Sequence, residues 1–110
     1  LTDIITREWS GMSTKQYKQF KGLKKESLRD NMTNMEIALN MLAEASATEL
    51  SKQRNPQGFN QQKRVAKDGG SVAKVARNQL EKKLGHGVIT SAKASDYLPP
   101  VENDNIIEEQ

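Results

Sequence analysis

The side chains that could do chemistry are quickly counted. Cysteine is absent and His86 is the lone histidine, which removes disulfides, thiolate and histidine metal clusters, and any Cys/His nucleophile pair. His86, Ser91 and Asp96 supply the residue types of a hydrolytic triad, but nothing in their spacing fixes a geometry, and a histidine between Gly85 and Gly87 reads as an exposed loop residue. Asp68-Gly69-Gly70-Ser71 lacks the Gly-Lys-Ser/Thr of a P-loop, so the glycine pair reads as a helix hinge or packing point. Glu36, Glu44 and Glu49 share a helical stretch without a histidine partner and make no metal signature. The chain is therefore expected to be non-enzymatic, with no catalytic residue, metal or cofactor.

What remains is charge, and it comes in blocks. The net charge is only +3. Residues 15–29 hold Lys15, Lys18, Lys21, Lys24, Lys25 and Arg29 against Glu26, while residues 30–50 hold Asp30, Glu36, Glu44 and Glu49 with no base. Basic character returns over 52–83, where Lys63, Arg64, Lys67, Lys74 and Arg77 are the central members, and the last fifteen residues are purely acidic. Alternating blocks of this kind suit an anionic polymer or electrostatic self-pairing. In the first block the cations can track a phosphate backbone while Tyr17 or Phe20 stacks on a base; the alternative is that both rings fill a small core and the lysines are merely solvated. The second block lies along an exposed helix face, or pairs with the acidic helix of a partner chain. Six cations within fifteen residues beside two aromatics make the first block the expected principal nucleic-acid contact.

The elements that must position these charges are helical. Leu, Ile, Val and Phe together number 22 of 110 residues, a thin core that calls for a second copy or a neighbouring domain. Residues 1–12 read as a connecting segment from a missing N-terminal domain, in keeping with a chain that opens on Leu1. A helical domain then spans 13–98. Ser13 or Thr14 can cap a short helix to Phe20, which Gly22 ends. Leu23, Leu28 and Met32 anchor the lysine-rich connection.

Thr33-Asn34-Met35-Glu36 is a capping box, in which the hydroxyl and the carboxylate each satisfy an orphan N–H, and it opens one helix to about Lys52. Its many apolar positions predict heavy burial. Arg54 to Gly58 is a loop around Pro56. From Phe59 to Leu84 a seven-residue echo of Phe59, Ala66, Ala73 and Leu80 survives Gly69-Gly70, predicting an uninterrupted or bent helix with a small-residue face for close packing. The expected homodimer interface is Ile37, Leu42, Phe59, Ala66, Ala73 and Leu80. Val88-Ile89-Thr90 reads as a short extended piece, Thr90 or Ser91 as the cap of a turn through Leu98, and 99–110 as a disordered acidic tail that repels nucleic acid. No aliphatic run is long enough for a membrane span or a signal peptide, which predicts a cytoplasmic protein without a membrane partner. The expected fold is all-α, in an intertwined or bundle-like dimer.

The string Tyr17-Lys-Gln-Phe-Lys-Gly-Leu-Lys-Lys-Glu-Ser-Leu-Arg-Asp-Asn-Met-Thr33 with Glu36, then Asn55-Pro-Gln-Gly-Phe59, Ala66-Lys-Asp-Gly-Gly70 with Val72-Ala73 and Arg77, and Leu80-Glu81 before Gly85 resembles the C-terminal half of DNA-damage-inducible protein D. Members of that family look like two-part proteins, with an N-terminal BRO-type domain of the phage-antirepressor kind and a mainly helical C-terminal part. The resemblance implies a damage-induced (SOS-type) or prophage setting and a DNA or recombination-nucleoprotein partner. It brings no catalytic residue to any position here. The competing function is an oligomerisation module that dimerises the missing N-terminal domain.

Overall fold

The computed structural model describes residues 1–93, and over them the chain is all-α. The helices are α1 (Thr2–Ser10), α2 (Thr14–Phe20), α3 (Asn34–Arg54) and α4 (Gly58–Leu84), with a 3₁₀ turn at Arg29–Asn31. The turn expected through Leu98 and the acidic tail at 99–110 lie outside the described residues.

The first twelve residues are part of the domain, which corrects their reading as a connecting segment. Thr6, Trp9 and Ser10 of α1 are buried, and α1 packs on both α3 and α4. The physical reason is Trp9, which is wholly excluded from solvent, stands edge-on to Tyr17 with ring centroids 6.1 Å apart, and donates from Nε1 to Asn40 Oδ1 at 3.1 Å. A buried ring of this size contributes apolar area that no other residue of so small a core can replace. Gly11 ends the helix in the left-handed region at φ 81°. Arg77 of α4 donates from Nη1 to the carbonyls of Trp9 and Ser10 at 3.2 and 3.1 Å, satisfying acceptors that a helix end leaves open.

The short α2 starts at a capping box in which Ser13 accepts the N–H of Gln16 and Gln16 accepts that of Ser13. The box at Thr33 and Glu36 starts α3 in the same way, and α3 runs unbroken to Arg54. Asn55, left-handed at φ 47°, and Pro56 then turn the chain. The next helix, α4, is a single helix through Gly69-Gly70. These glycines let helices touch: a Cβ on Gly69 would fall 2.6 Å from the backbone of Ala47 in α3, and one on Gly70 would fall 2.6 Å from Glu8 Cβ in α1.

The small-residue face is therefore spent inside one chain. Ala66 and Ala73 are buried between α4 and its neighbours, and Ile37 and Leu80 lean on the same core. These four belong to the chain's own packing rather than to the expected intermolecular face, because α1 takes the place a second copy was expected to fill. Phe59 and Leu42 stay exposed, at 63% and 38%. The heavy burial expected of α3 holds on one side only, where Glu36, Leu39, Asn40, Ala43 and Ala47 are covered.

Beyond α4 the chain folds back without forming a strand among the described residues. Val88 is buried and its N–H donates to Glu81 Oε2 at 2.9 Å, where Arg77 Nε also donates at 3.0 Å. The Val88 N–H, then Arg77, hold the Glu81 carboxyl below its ordinary 4.5. A lowered carboxyl stabilises the fold above the unfolded value and loses that contribution as pH falls through the folded one. Glu81→Gln is expected to cost roughly 1 kcal/mol at pH 7 and to flatten the stability curve below about pH 4.5; a melting-temperature series from pH 7 to 3 that superimposes on that of the parent would contradict this.

Candidate nucleic-acid interface

The outward face of α4 is built from a simple imbalance. Lys63, Arg64, Lys67, Lys74, Lys82 and Lys83 are all exposed. The two acids of the helix are both engaged: Asp68 pairs with Arg54 at the end of α3, and Glu81 is held by Arg77 and the Val88 N–H. Helical geometry arranges the cations in lines. At 100° per residue Lys63, Lys67 and Lys74 fall in one stripe, Arg64 and Lys82 fall in register about five turns apart on the next, and Lys83 lies apart from both, about 160° round the axis from Lys63. Lys63 to Lys82 spans about 29 Å of axis. Between them the exposed positions are Ser71, Asn78 and Gln79, with the apolar Val72 and Val75 also open to solvent.

Arg77, expected with this group, lies elsewhere. It is half-buried, tied to Glu81 and to the end of α1, and acts as a clamp between helices.

The first basic block is dispersed by the fold. Lys21 is 2% exposed and Tyr17 fully buried, so neither can meet a ligand at the surface, and the readings of Lys21 as a phosphate contact and Tyr17 as a stacking ring are corrected. Lys21 Nζ donates to Glu36 Oε1 at 2.9 Å and to the carbonyls of Thr90 and Ala92 at 2.7 and 2.6 Å. It also lies 5.7 Å from the centre of the Tyr17 ring. Tyr17 Oη donates to the other oxygen of Glu36, and burial followed by the Glu36 carboxylate pushes the Tyr17 hydroxyl far above its usual range. Arg29 pairs with Glu44 at 3.2 Å. What stays available is Phe20, half exposed, the exposed Lys15, Lys24 and Lys25, and Lys18 at the rim. Of these, Lys15, Lys18 and Lys24 line a shallow groove with Arg7, where Asp3 also sits.

The residue that sequence reasoning left out is Glu36. Its cap role was legible, but its Oε1 accepts the Thr33 N–H at 2.8 Å and the Lys21 ammonium together. The available signal was a carboxylate one turn into an apolar-rich helix, on the same face as Asn40 and Ala43. Asn40 was missed likewise, because its partner Trp9 stood in a segment read as a connection. No buried polar side-chain atom lacks a partner among the described residues, so this cluster is a closed structural unit.

As for other chemistry, no three His, Cys, Asp or Glu side chains among the described residues lie together as a metal site would require. His86 is exposed, with Nδ1 2.9 Å from the Gly87 carbonyl, and Asp96 lies outside the described residues. No helix among the described residues is long and apolar enough to cross a membrane. The chain matches no family model, no curated protein and no solved structure.

Proposed function

We propose that this domain is a non-enzymatic nucleic-acid-binding module that grips the phosphate backbone with the outward face of α4. One observation carries the reading: five exposed cations, Lys63, Arg64, Lys67, Lys74 and Lys82, along about 29 Å of one side of a helix on which every acid is already engaged. Such a face releases counterions on binding, and its affinity is expected to be set by salt rather than by base sequence. The resemblance to the C-terminal part of DNA-damage-inducible protein D supports a cytoplasmic damage or prophage response as the setting, with DNA or a DNA-bound recombination protein as the partner.

Two sets of substitutions test the placement. Lys63, Lys67, Lys74 and Lys82 changed to Gln are expected to weaken binding of a fluorescent DNA at least tenfold, and to flatten the salt slope by up to about one unit for each phosphate no longer neutralised. The same change at Lys15, Lys18, Lys24 and Lys25 is expected to do less. The reverse order of effects would move the site to α2 and its following loop. Binding to protein-coated but never to naked DNA would make the recombination protein the partner.

A further inference from the structure

The outward face of α3 is the chemical opposite of that of α4. Across its first four turns Met35, Ala38, Met41, Leu42 and Ala45 are exposed, with Met35 at 42%, Met41 at 52% and Leu42 at 38%. From Asn34 to Ala45 the seam bears no charge, in a chain of which 28% is charged, and the partly exposed Glu44 stands on the flank, paired with Arg29. Met35, Ala38, Leu42 and Ala45 follow one another at spacings of three and four, the seam of a helix that pairs with another helix. Glu49 and Lys52 continue the same spacing and close the apolar stretch.

We infer that this seam pairs two copies of the chain, with their α3 helices antiparallel about a twofold axis near the level of residue 40. The sizes alternate so that this register fits itself: Met35 meets Ala45 of the second copy, and Leu42 meets its Ala38, a large side chain against a small one in each layer. The charges select the direction. A parallel pair in register would set Glu49 against Glu49 and Lys52 against Lys52, whereas the antiparallel pair carries each beyond the end of the other helix. The twofold gives an isologous contact, in which each layer occurs twice. Four turns of helix bury less than the ~800 Å² per partner of a standard interface, so the dimer is expected to dissociate in the micromolar range. This pairing uses α3 and stands apart from the phosphate-binding reading of α4.

Sedimentation velocity over a dilution series, from about 500 to 5 µM, is expected to show a monomer–dimer equilibrium. Leu42→Glu, at an exposed position, is expected to give monomer throughout with unchanged helical circular dichroism. The absence of native cysteine allows a second test that disrupts nothing. Chains carrying Met35→Cys and chains carrying Ala45→Cys, mixed under mild oxidation, are expected to cross-link to each other much faster than either does to itself, because only that pair brings Cβ atoms within disulfide reach. Monomer at 500 µM, a dimer indifferent to Leu42→Glu, or Met35→Cys cross-linking to itself as fast as to its counterpart would each overturn the inference.

Discussion

Lys21→Met is expected to destabilise the domain by about 3–5 kcal/mol, the usual result of removing one partner of a buried ion pair. The Lys21 and Glu36 side chains are both wholly excluded from solvent. Loss of the ammonium leaves the Glu36 carboxylate buried with only the Tyr17 hydroxyl and the Thr33 N–H to hold it, and strips the Thr90 and Ala92 carbonyls of their donor. A small domain holds only about 5–15 kcal/mol in all, so the variant is expected to be close to unfolding in mild urea. Pairing Lys21→Met with Glu36→Gln removes the stranded charge and is expected to recover a sizeable part of the loss. A free energy of urea unfolding for Lys21→Met within about 1 kcal/mol of the parent would mean that the cluster is not closed as described.

Gly69→Ala is expected to destabilise by about 1–3 kcal/mol, against the direction that helix propensity alone would give. In an open helix this change is worth about 1 kcal/mol of stabilisation. Here the new methyl would lie 2.6 Å from the Cα, N and Cβ of Ala47, and backbone atoms cannot swing aside as the end of a flexible side chain can. The two longest helices must separate, and with them the core around Ala43 and Ala73. Thermal melts of Gly69→Ala decide between the two effects: a raised melting temperature would show that α3 and α4 have room to spare.

How much of this could be read in advance depended on whether the cause was local. The capping box at Thr33, the turn at Asn55-Pro56 and the continuity of α4 through its glycines are fixed by neighbours within a few residues, and each was legible; at the start of α2 the cap was legible as Ser13 or Thr14, and the box that Ser13 closes with Gln16 was not read. The partners of those elements were not. Ala66 and Ala73 announced a close helix contact, but a heptad echo cannot say whether the other helix comes from the same chain or from a second one; α1 settled it by supplying Trp9. Tyr17 in α2 and Lys21 at its C-cap lie one turn apart, in a run where every third residue is basic, so composition alone marked Lys21 as one surface cation among several. Its burial follows from Glu36, nineteen residues from Tyr17 and fifteen from Lys21, a separation no periodicity reveals. The basic face of α4 was legible as a spacing; that its acids are tied by Arg54 and Arg77 needed the fold.

The proposed phosphate binding by α4 is tested most directly by a salt titration of the unaltered chain. Fluorescence anisotropy with a labelled 20-mer, single-stranded and duplex, is read from about 25 to 300 mM potassium chloride. Five cations on the face and a factor of about 0.9 per neutralised phosphate put the upper bound of the log–log slope near −4.5 on duplex. The expected result is binding that tightens steeply below 100 mM, with a duplex slope between about −3 and −4.5 and little dependence on sequence. No measurable affinity at 25 mM, or a slope shallower than about −1, would contradict it.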